Sequence, residues 1–212
     1  CEKLNVPSMI TTKTAKILSD KNYFNDFLLE NKLNPIPTFS KKQAERSLAS
    51  GNKLIIKPTD SNSGKGLSVV TEVDQLEKAI LIAQINSKSG TYLIEPYKED
   101  PGIGLYFTIS NNKIINECIY DRYTAPLQLH IGKVPLAGVY PSRYLNTYNR
   151  LHSLQVKSAL KTLNINNGVL MLSGFISENK LCLYDPGFRL QGEGADVIVL
   201  AKYGFDQKQF LI

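Results

Sequence analysis

Hydrophobic and polar positions alternate along the chain in runs that predict both helices and strands. Apolar residues within Tyr23–Leu28 recur at helical spacing, and Ser19-Asp20 supplies a helix start. Ser40-Lys41-Lys42-Gln43 fits a capping box for a second, short helix, which Gly51 is expected to end. The early part of the chain is therefore predicted to be mainly helical.

Two predicted strands enclose a polar loop in the next stretch. Lys53–Lys57 and Leu67–Val70 are rich in aliphatic residues, and the residues between them are small or polar. Thr71–Asp74 resembles the N-terminal cap of a helix, and Tyr92–Glu95 is predicted to be a further strand. The polar loop is therefore expected to join strand to strand.

The second half of the chain is predicted to consist mostly of strands. Asn111-Asn112 is a plausible hairpin turn between Leu105–Ser110 and Lys113–Tyr120. Val169–Ile176 and Leu181–Tyr184 are expected to pair with each other across a turn of their own.

Two further helices are predicted in this half. One is expected from Thr147 to Leu163, with Leu151 and Leu154 among its apolar positions, and the other over Ala195–Tyr203. Helices followed by an antiparallel sheet predict an α+β fold, with two lobes that meet near Glu95.

Composition and charge narrow the class of protein. Hydrophobic residues make up 42% of the 212 residues, so a buried core can form. The 25 basic and 19 acidic residues give a net charge of +6, which fits either a solvated basic surface or attraction of a polyanion such as a nucleotide. The sequence has no arginine-rich block or RNA-binding aromatic signature, so nucleic acid is not an expected partner.

Membrane insertion, secretion, a zinc site and a disulfide framework are not expected either. No apolar run is long enough to span a bilayer, and Cys1–Asn5 has no signal-peptide character, so a soluble, cytoplasmic protein is predicted. The three cysteines lack CxxC spacing, which argues against a zinc site or a disulfide framework. Cys118 and Cys182 lie in strand-like runs and are expected to be buried thiols.

The loop Thr59–Gly66 carries the candidate chemistry. Its glycines and small hydroxyl residues let backbone N–H groups approach phosphate oxygens, and Lys57 and Lys65 add positive charge. A P-loop is excluded because Gly66 follows Lys65 where Ser or Thr is needed, and a GxGxxG fingerprint because Val69 stands at its third glycine. The alternatives are a flap over a ligand and an ordinary polar hairpin loop.

Several segments together resemble the ATP-grasp family, which includes biotin carboxylase, D-alanine–D-alanine ligase and the large chain of carbamoyl-phosphate synthetase. The matching segments are Asp20-Lys21, Asn34–Thr38, Leu54–Pro58 with Ser63–Gly66, Leu93–Tyr97, Leu163–Gly168 and Asp185–Arg189. The resemblance covers nearly the whole chain. It implies an α+β ATP-grasp fold with the nucleotide held between two lobes, residues 1–92 with the flap and residues 93–212 with an antiparallel sheet.

The resemblance implies a role for each matched residue. Lys57 would contact the α- and β-phosphates, and Lys21 would contact the nucleotide from the other lobe. Asp185 would bind a Mg²⁺ ion that bridges the phosphates, and Arg189 would be the catalytic residue that stabilises the transferred phosphoryl group. The other implied ATP-binding residues are Ser61, Asn62, Ser63, Gly64, Lys65 and Gly66 over the triphosphate, and Glu95, Pro96 and Tyr97 around adenine.

Three positions depart from the family pattern. Gly174 and Gly187 fall where metal-binding residues are usual, and Tyr106 replaces a glutamate that holds the ribose. Asp185 is left to bind metal, with Glu193 as a further candidate. A two-metal site is therefore doubtful, and the residues permit one weakly held Mg²⁺ or catalysis with an altered geometry.

Two main functions follow from the resemblance. One is an ATP-dependent ligase that converts a small carboxylate to an acyl phosphate for attack by an amine or thiol, with Arg122, Arg143 and Arg150 as substrate-side candidates. The alternative is a non-catalytic or regulatory nucleotide-binding module with a degenerate metal site, and a basic interaction domain without nucleotide is a third possibility. The resemblance also implies that the family's N-terminal domain is missing from this chain and belongs to a longer parent chain, and a homo-oligomer is the other expected assembly.

Overall fold

The structure is a computed structural model, and it describes residues 8–100, 102–125, 135–190 and 194–211. Within those ranges the chain divides into two compact units. Of the described residues, the larger unit comprises 8–35, 102–123, 137–190 and 194–211, and the smaller unit comprises 36–100, 124–125 and 135–136.

Helices and strands are mixed along the described chain. The helices are α1 (Thr12–Ser19), α2 (Lys21–Glu30), α3 (Lys41–Ala49), α4 (Leu76–Ile85), α5 (Leu145–Leu151), α6 (Ser153–Lys161), α7 (Ala195–Tyr203) and α8 (Gln207–Phe210). The strands are β1 (Asn34–Pro35), β2 (Leu54–Pro58), β3 (Ser68–Val70), β4 (Tyr92–Pro96), β5 (Ile103–Ser110), β6 (Lys113–Thr124), β7 (Pro135–Val139), β8 (Gly168–Ser177) and β9 (Lys180–Phe188).

A six-stranded sheet in the order β1-β9-β8-β5-β6-β7 forms the centre of the larger unit. Strands β9, β8, β5 and β6 are antiparallel neighbours, and β1 pairs with β9 in parallel. Successive side chains on a strand point to opposite faces, so Leu170 and Leu172 join one buried cluster while Val169 and Met171 join another. The sheet is therefore apolar on both faces, at least over part of its area.

Different helices cover the two faces of this sheet. Phe24 and Leu28 of α2 and Leu160 of α6 pack in the first cluster. Val199 of α7 packs in the second cluster, beside Tyr106 of β5. Asp20 caps α2 by accepting hydrogen bonds from the N–H groups of the first turn, which confirms the predicted helix start.

Left-handed residues make both hairpin turns of the large sheet. Asn111 and Asn112 have φ angles of 48° and 60°, and Glu178 and Asn179 have φ angles of 49° and 63°. Positive φ at both central residues is the backbone of a type I′ turn, which matches the twist of antiparallel strands. The two predicted hairpins are confirmed.

The smaller unit has a three-stranded antiparallel sheet in the order β3-β2-β4. Leu54 and Ile56 of β2 pack in one buried cluster with Leu48 of α3 and Leu76 of α4. The capping box predicted at Ser40 is present, with the Ser40 and Gln43 side chains each bonded to the backbone of the other residue.

The predicted helix Thr147–Leu163 is two helices, and this prediction was wrong in one respect. His152, with φ −128° and ψ −33°, separates α5 from α6. The break changes which positions face the core, so Leu151 and Leu154 are exposed whereas Tyr148 and Leu160 are buried. Cys182, predicted to be buried, is partly exposed, while Cys118 is buried as expected.

The division of the chain also differs from the predicted boundary after residue 92. Residues up to Pro35 belong to the larger unit because β1 pairs with β9 and α2 packs under the large sheet. Strand β4 belongs to the smaller unit because each of its residues pairs with β2. Strand pairing between segments that are far apart in the chain therefore decides which unit each segment belongs to.

Two leucines of α6 test the packing of the larger unit. Leu160 is 3% exposed and Leu154 is 83% exposed. Leu160→Ala is expected to lower the free energy of unfolding by about 2–5 kcal/mol, since it leaves a cavity in the core. Leu154→Ala is expected to change it by less than about 0.5 kcal/mol. Urea denaturation of the two variants measures both values, and equal effects would contradict the assignment of the buried face.

Candidate functional site

The loop between β2 and β3 is tied at its base to the segment before β4. Thr59 is fully buried, and its hydroxyl lies 2.6 Å from that of Thr91. The Asp60 carboxylate accepts hydrogen bonds from the Ser87 hydroxyl at 2.7 Å and from the N–H groups of Lys88 at 3.0 Å and Ser89 at 2.9 Å. Burial acts to raise the pKa of Asp60, but these hydrogen bonds outweigh it and the pKa is lowered.

Left-handed residues shape the tip of this loop. Ser63, Gly64 and Gly66 have φ angles of 56°, 72° and 76°. Hydrogen bonds inside the loop, from Lys65 N to Asn62 O at 3.2 Å and from Ser61 Oγ to Lys65 O at 3.1 Å, hold this turn. Turns that contain left-handed residues can point successive backbone N–H groups into one concavity, which binds anions.

Gly66 is required by both its conformation and its surroundings. A Cβ atom at this position would lie 2.5 Å from Asn86 Cβ and 2.9 Å from Pro58 Cγ. The loop can therefore approach the end of α4 only because residue 66 has no side chain. In contrast, Asn62, Ser63 and Lys65 are exposed and can face a ligand.

Lys57 and Glu95 form a buried ion pair on the face of the small sheet opposite the apolar cluster. Lys57 Nζ lies 2.9 Å from Glu95 Oε2, and their side chains are 8% and 3% exposed. Ile55 pairs with Glu95 and Lys57 pairs with Leu93, so the two charged side chains are diagonal neighbours on adjacent strands. Two residues predicted separately as ATP ligands thus contact each other.

The backbone at the end of β4 has few free N–H donors. Tyr97 N–H donates to the Lys53 carbonyl at 3.0 Å, and Pro96 has no N–H. Burial, followed by the charge of Glu99, raises the pKa of the Tyr97 phenol. Pro96 therefore offers no N–H donor to a ligand and the Tyr97 N–H is engaged by Lys53, whereas the Pro96 carbonyl can serve as an acceptor.

Lys21 and Asp185 lie together in the larger unit. Lys21 is the first residue of α2, placed there by the Asp20 cap, and its Nζ lies 3.3 Å from Asp185 Oδ1. Asp185 has a φ angle of 42° and is the extra residue of a β-bulge, since Ser173 pairs with Tyr184 and Leu172 pairs with Pro186. Bulges re-aim side chains, and this one places a carboxylate beside a lysine.

The sheet register reassigns one of the predicted metal positions. A Cβ atom at Gly174 would contact Leu181 and Leu183, so position 174 faces the apolar cluster. Ser173 points to the opposite face, where its hydroxyl lies 2.7 Å from Arg122 Nη1. A metal ligand at position 174 would be in the core. Position 173, which faces the opposite side beside Arg122, carries a serine.

The other departures predicted from sequence differ in their surroundings. A Cβ atom at Gly187 would lie 3.3 Å from Met171 Cε, which places position 187 on the same face as Ser173. Tyr106 is fully buried in the cluster under α7, where its ring packs against apolar side chains. Glu193 lies outside the described residues. In the described ranges, no group of three or more histidine, cysteine or acidic residues could hold a metal ion.

The candidate arginines are held to different degrees. Arg189, predicted to be catalytic, is exposed, and its Nη1 donates to the carbonyl of its neighbour Leu190 at 3.3 Å. Arg150 is exposed on α5, and Arg143 Nε lies 3.8 Å from Asp121. Contacts across strands orient Arg122. The sequence did not predict this orientation, because Arg122 lies in a stretch that looked irregular.

We compared the chain with known protein families, curated proteins and solved structures. No family model matches the chain. The ATP-grasp enzyme fsqD of Aspergillus fumigatus is 22% identical over 182 residues, which covers 82% of this chain and 31% of that enzyme. The chain thus spans about a third of the curated relative that it matches.

Solved structures match nearly the full length of the chain. The biotin carboxylase–β,γ-ATP complex of Campylobacter jejuni matches with a TM-score of 0.76 at 21% identity. The match covers 100% of this chain and 49% of the carboxylase chain. D-alanyl-alanine synthetase A of Vibrio cholerae has a TM-score of 0.77 at 14% identity, over 95% of this chain and 65% of its own. The chain has the ATP-grasp fold, and the predicted resemblance is confirmed.

In the described residues no helix is long and apolar enough to cross a membrane.

The Lys57–Glu95 pair can be tested by a double-mutant cycle. Lys57→Met is expected to lower the free energy of unfolding by about 3–5 kcal/mol, because it leaves a buried carboxylate without its cation. The double variant K57M/E95M is expected to be no less stable than K57M, since neither charge remains. Urea denaturation of the wild type, K57M, E95M and the double variant measures the four stabilities, and additive losses would show that the two side chains are not coupled.

Proposed function

We propose that this chain is the ATP-binding part of a carbon–nitrogen ligase that activates a small carboxylate as an acyl phosphate. The observation that carries the proposal is the segment from Lys57 to Gly66. It combines a buried lysine, a loop anchored through Asp60 and a left-handed tip that requires Gly66. A lysine charge with a glycine-rich backbone concavity is the chemistry that binds phosphates.

Each unit by itself has candidate nucleotide contacts. In the smaller unit Lys57 would bind the α- and β-phosphates, and Ser61–Gly66 would cover the triphosphate. Adenine would contact Glu95–Tyr97, with the Pro96 carbonyl as the acceptor. In the larger unit Lys21 would add a further positive charge.

The side chains present fit one Mg²⁺ ion. Asp185 is a half-exposed carboxylate, and Mg²⁺ prefers one or two carboxylates together with phosphate oxygens. Ser173 and Gly187 supply no further carboxylate, so the residues described here do not fit a two-metal centre. When bound, the ion would neutralise charge on the phosphates.

The proposed reaction has two steps. An oxygen of the substrate carboxylate attacks the γ-phosphorus, a new P–O bond forms, and the bond to the β,γ-bridging oxygen breaks to release ADP. An amine then attacks the carbonyl carbon, the C–O bond to phosphate breaks, and the amine loses a proton. The chain's own residues bind and orient the phosphates, and Arg189 would stabilise charge on the phosphoryl group.

A non-catalytic nucleotide-binding module is the alternative. The observation that favours it is the pair Ser173 and Gly187, which places a hydroxyl and a hydrogen on the sheet face beside Asp185. Such a module would bind ATP with little dependence on Mg²⁺ and without turnover.

ATP binding is tested by a matched pair of glycine variants. Gly66→Ala is expected to weaken ATP binding by at least about tenfold, because the added Cβ strains a left-handed residue and displaces the loop. Gly51→Ala has a similar φ, 79°, with no atom within 4 Å, and serves as the control. Isothermal titration of both variants with MgATP gives the dissociation constants. Equal affinities for the two variants would exclude the loop from the ATP site.

Turnover separates the enzyme from the alternative. The chain is incubated with MgATP and a panel of carboxylates and amines, and ADP and phosphate are measured. Asp185→Asn is expected to lower the rate by about 100-fold, since a bound metal ion contributes several kcal/mol to such transfers. Asp74→Asn, on an exposed turn, is the control. Magnesium-independent ATP binding without product from any substrate would favour the module.

A further inference from the structure

One row of residues crosses four strands of the large sheet on the face that carries Met171 and Ser173. Tyr120 of β6 pairs with Gly104 of β5, Gly104 pairs with Ser173 of β8, and Ser173 pairs with Tyr184 of β9. Residues directly opposite each other on antiparallel strands share a face. Asp185 follows Tyr184 at the end of this row.

Gly104 lets the aromatic ring of Tyr120 lie across β5. A Cβ atom at residue 104 would collide with the Tyr120 ring. Tyr120 is buried in the cluster under α7. The row is therefore closed at one end by an aromatic ring that a side chain at position 104 would displace.

Arg122 lies two residues after Tyr120 on the same face of β6, and its side chain reaches this row. Its backbone N–H donates to the Gly102 carbonyl at 3.0 Å. Its Nη1 donates to Ser173 Oγ at 2.7 Å, and its Nη2 lies 3.6 Å from Met171 Sδ. The guanidinium is thus held over β8 by contacts with a hydroxyl and a thioether.

The contacts of Asp121 lie on the opposite face. Asp121 accepts hydrogen bonds from Ser142 Oγ at 2.5 Å and from Arg143 N at 3.1 Å, so its carboxylate is engaged with the segment before α5. Ser173 is a neutral acceptor that orients the guanidinium. A fixed guanidinium presents a planar fork of donors that fits the oxygens of a phosphoryl group.

We propose that Arg122 binds the terminal phosphoryl group of ATP, with Ser173 as the residue that positions it. The proposal rests on the proposed function, since it assumes that ATP binds beside Asp185. Arg122 would supply positive charge on the sheet face where Ser173 and Gly187 supply no metal ligand. Arg189, which would act on the same group, is exposed, and its Nη1 donates to the carbonyl of its neighbour Leu190.

The test compares ADP with a non-hydrolysable ATP analogue, AMPPNP, by isothermal titration of the full chain in the presence of Mg²⁺. Wild-type protein is expected to bind AMPPNP more tightly than ADP. Arg122→Met is expected to weaken AMPPNP binding by about tenfold, as for the loss of one charge-assisted hydrogen bond, and to leave ADP binding within about twofold. Arg46→Met, an exposed arginine on α3, is the control and is expected to change neither.

Two further variants keep the proposal falsifiable if R122M folds poorly. Arg122→Lys keeps the charge but not the fork, and Ser173→Ala removes the positioning hydroxyl. Each is expected to lose part of the preference for AMPPNP and none of the affinity for ADP. Equal weakening of both nucleotides would show a structural role and overturn the proposal, as would an unchanged preference in R122M.

A second titration distinguishes a phosphoryl group from a substrate carboxylate as the group that Arg122 binds. Inorganic phosphate and acetate are added in turn to the MgADP complex of the wild type and of R122M. Loss of phosphate binding alone supports the phosphoryl assignment, and loss of acetate binding alone overturns it in favour of a substrate carboxylate. If wild-type protein binds neither nucleotide, the proposed function itself fails and the Arg122 proposal falls with it.

Discussion

Antiparallel pairing of β5, β8 and β9 is the interaction on which the larger unit depends. The pairing makes each strand present alternate side chains to two faces, and one of these faces must bury leucines such as Leu105, Leu170 and Leu183 against α2 and α6. Burial of one face leaves the positions between these leucines for other uses. Under α7 the second face is apolar, and beyond it the face carries Arg122 and Ser173.

The bulge at Asp185 is a local exception to this pairing. An extra residue in β9 shifts the register between Leu172 and Ser173, and the carboxylate of Asp185 comes within 3.3 Å of Lys21. A regular ladder would have given residue 185 a partner on β8 and a fixed face. Strand pairing therefore sets the frame, and its interruption provides the acidic side chain that the proposed chemistry needs.

The smaller unit places charge in its sheet at a cost in solvation. Lys57 and Glu95 are both buried, and their mutual contact offsets the loss of water around each of them. If ATP binds as proposed, the phosphates would compete with Glu95 for the lysine. The pair holds the lysine at the root of the loop when no phosphate is present.

The sequence by itself determined the α+β class, the hairpin turns, the capping box at Ser40 and the strand-to-strand connection through the glycine-containing loop Thr59–Gly66. These features depend on neighbours along the chain, such as the tolerance of Asn111 and Asn112 for left-handed backbone. The tertiary structure decided which face each strand residue occupies, which units the segments join and which arginine is oriented. Gly174 and Ser173 differ by one position, and a one-residue change of register moves a side chain from the core to the polar face. Arg122 and Ser173 are 51 residues apart and meet only because β6, β5 and β8 are neighbours in the sheet.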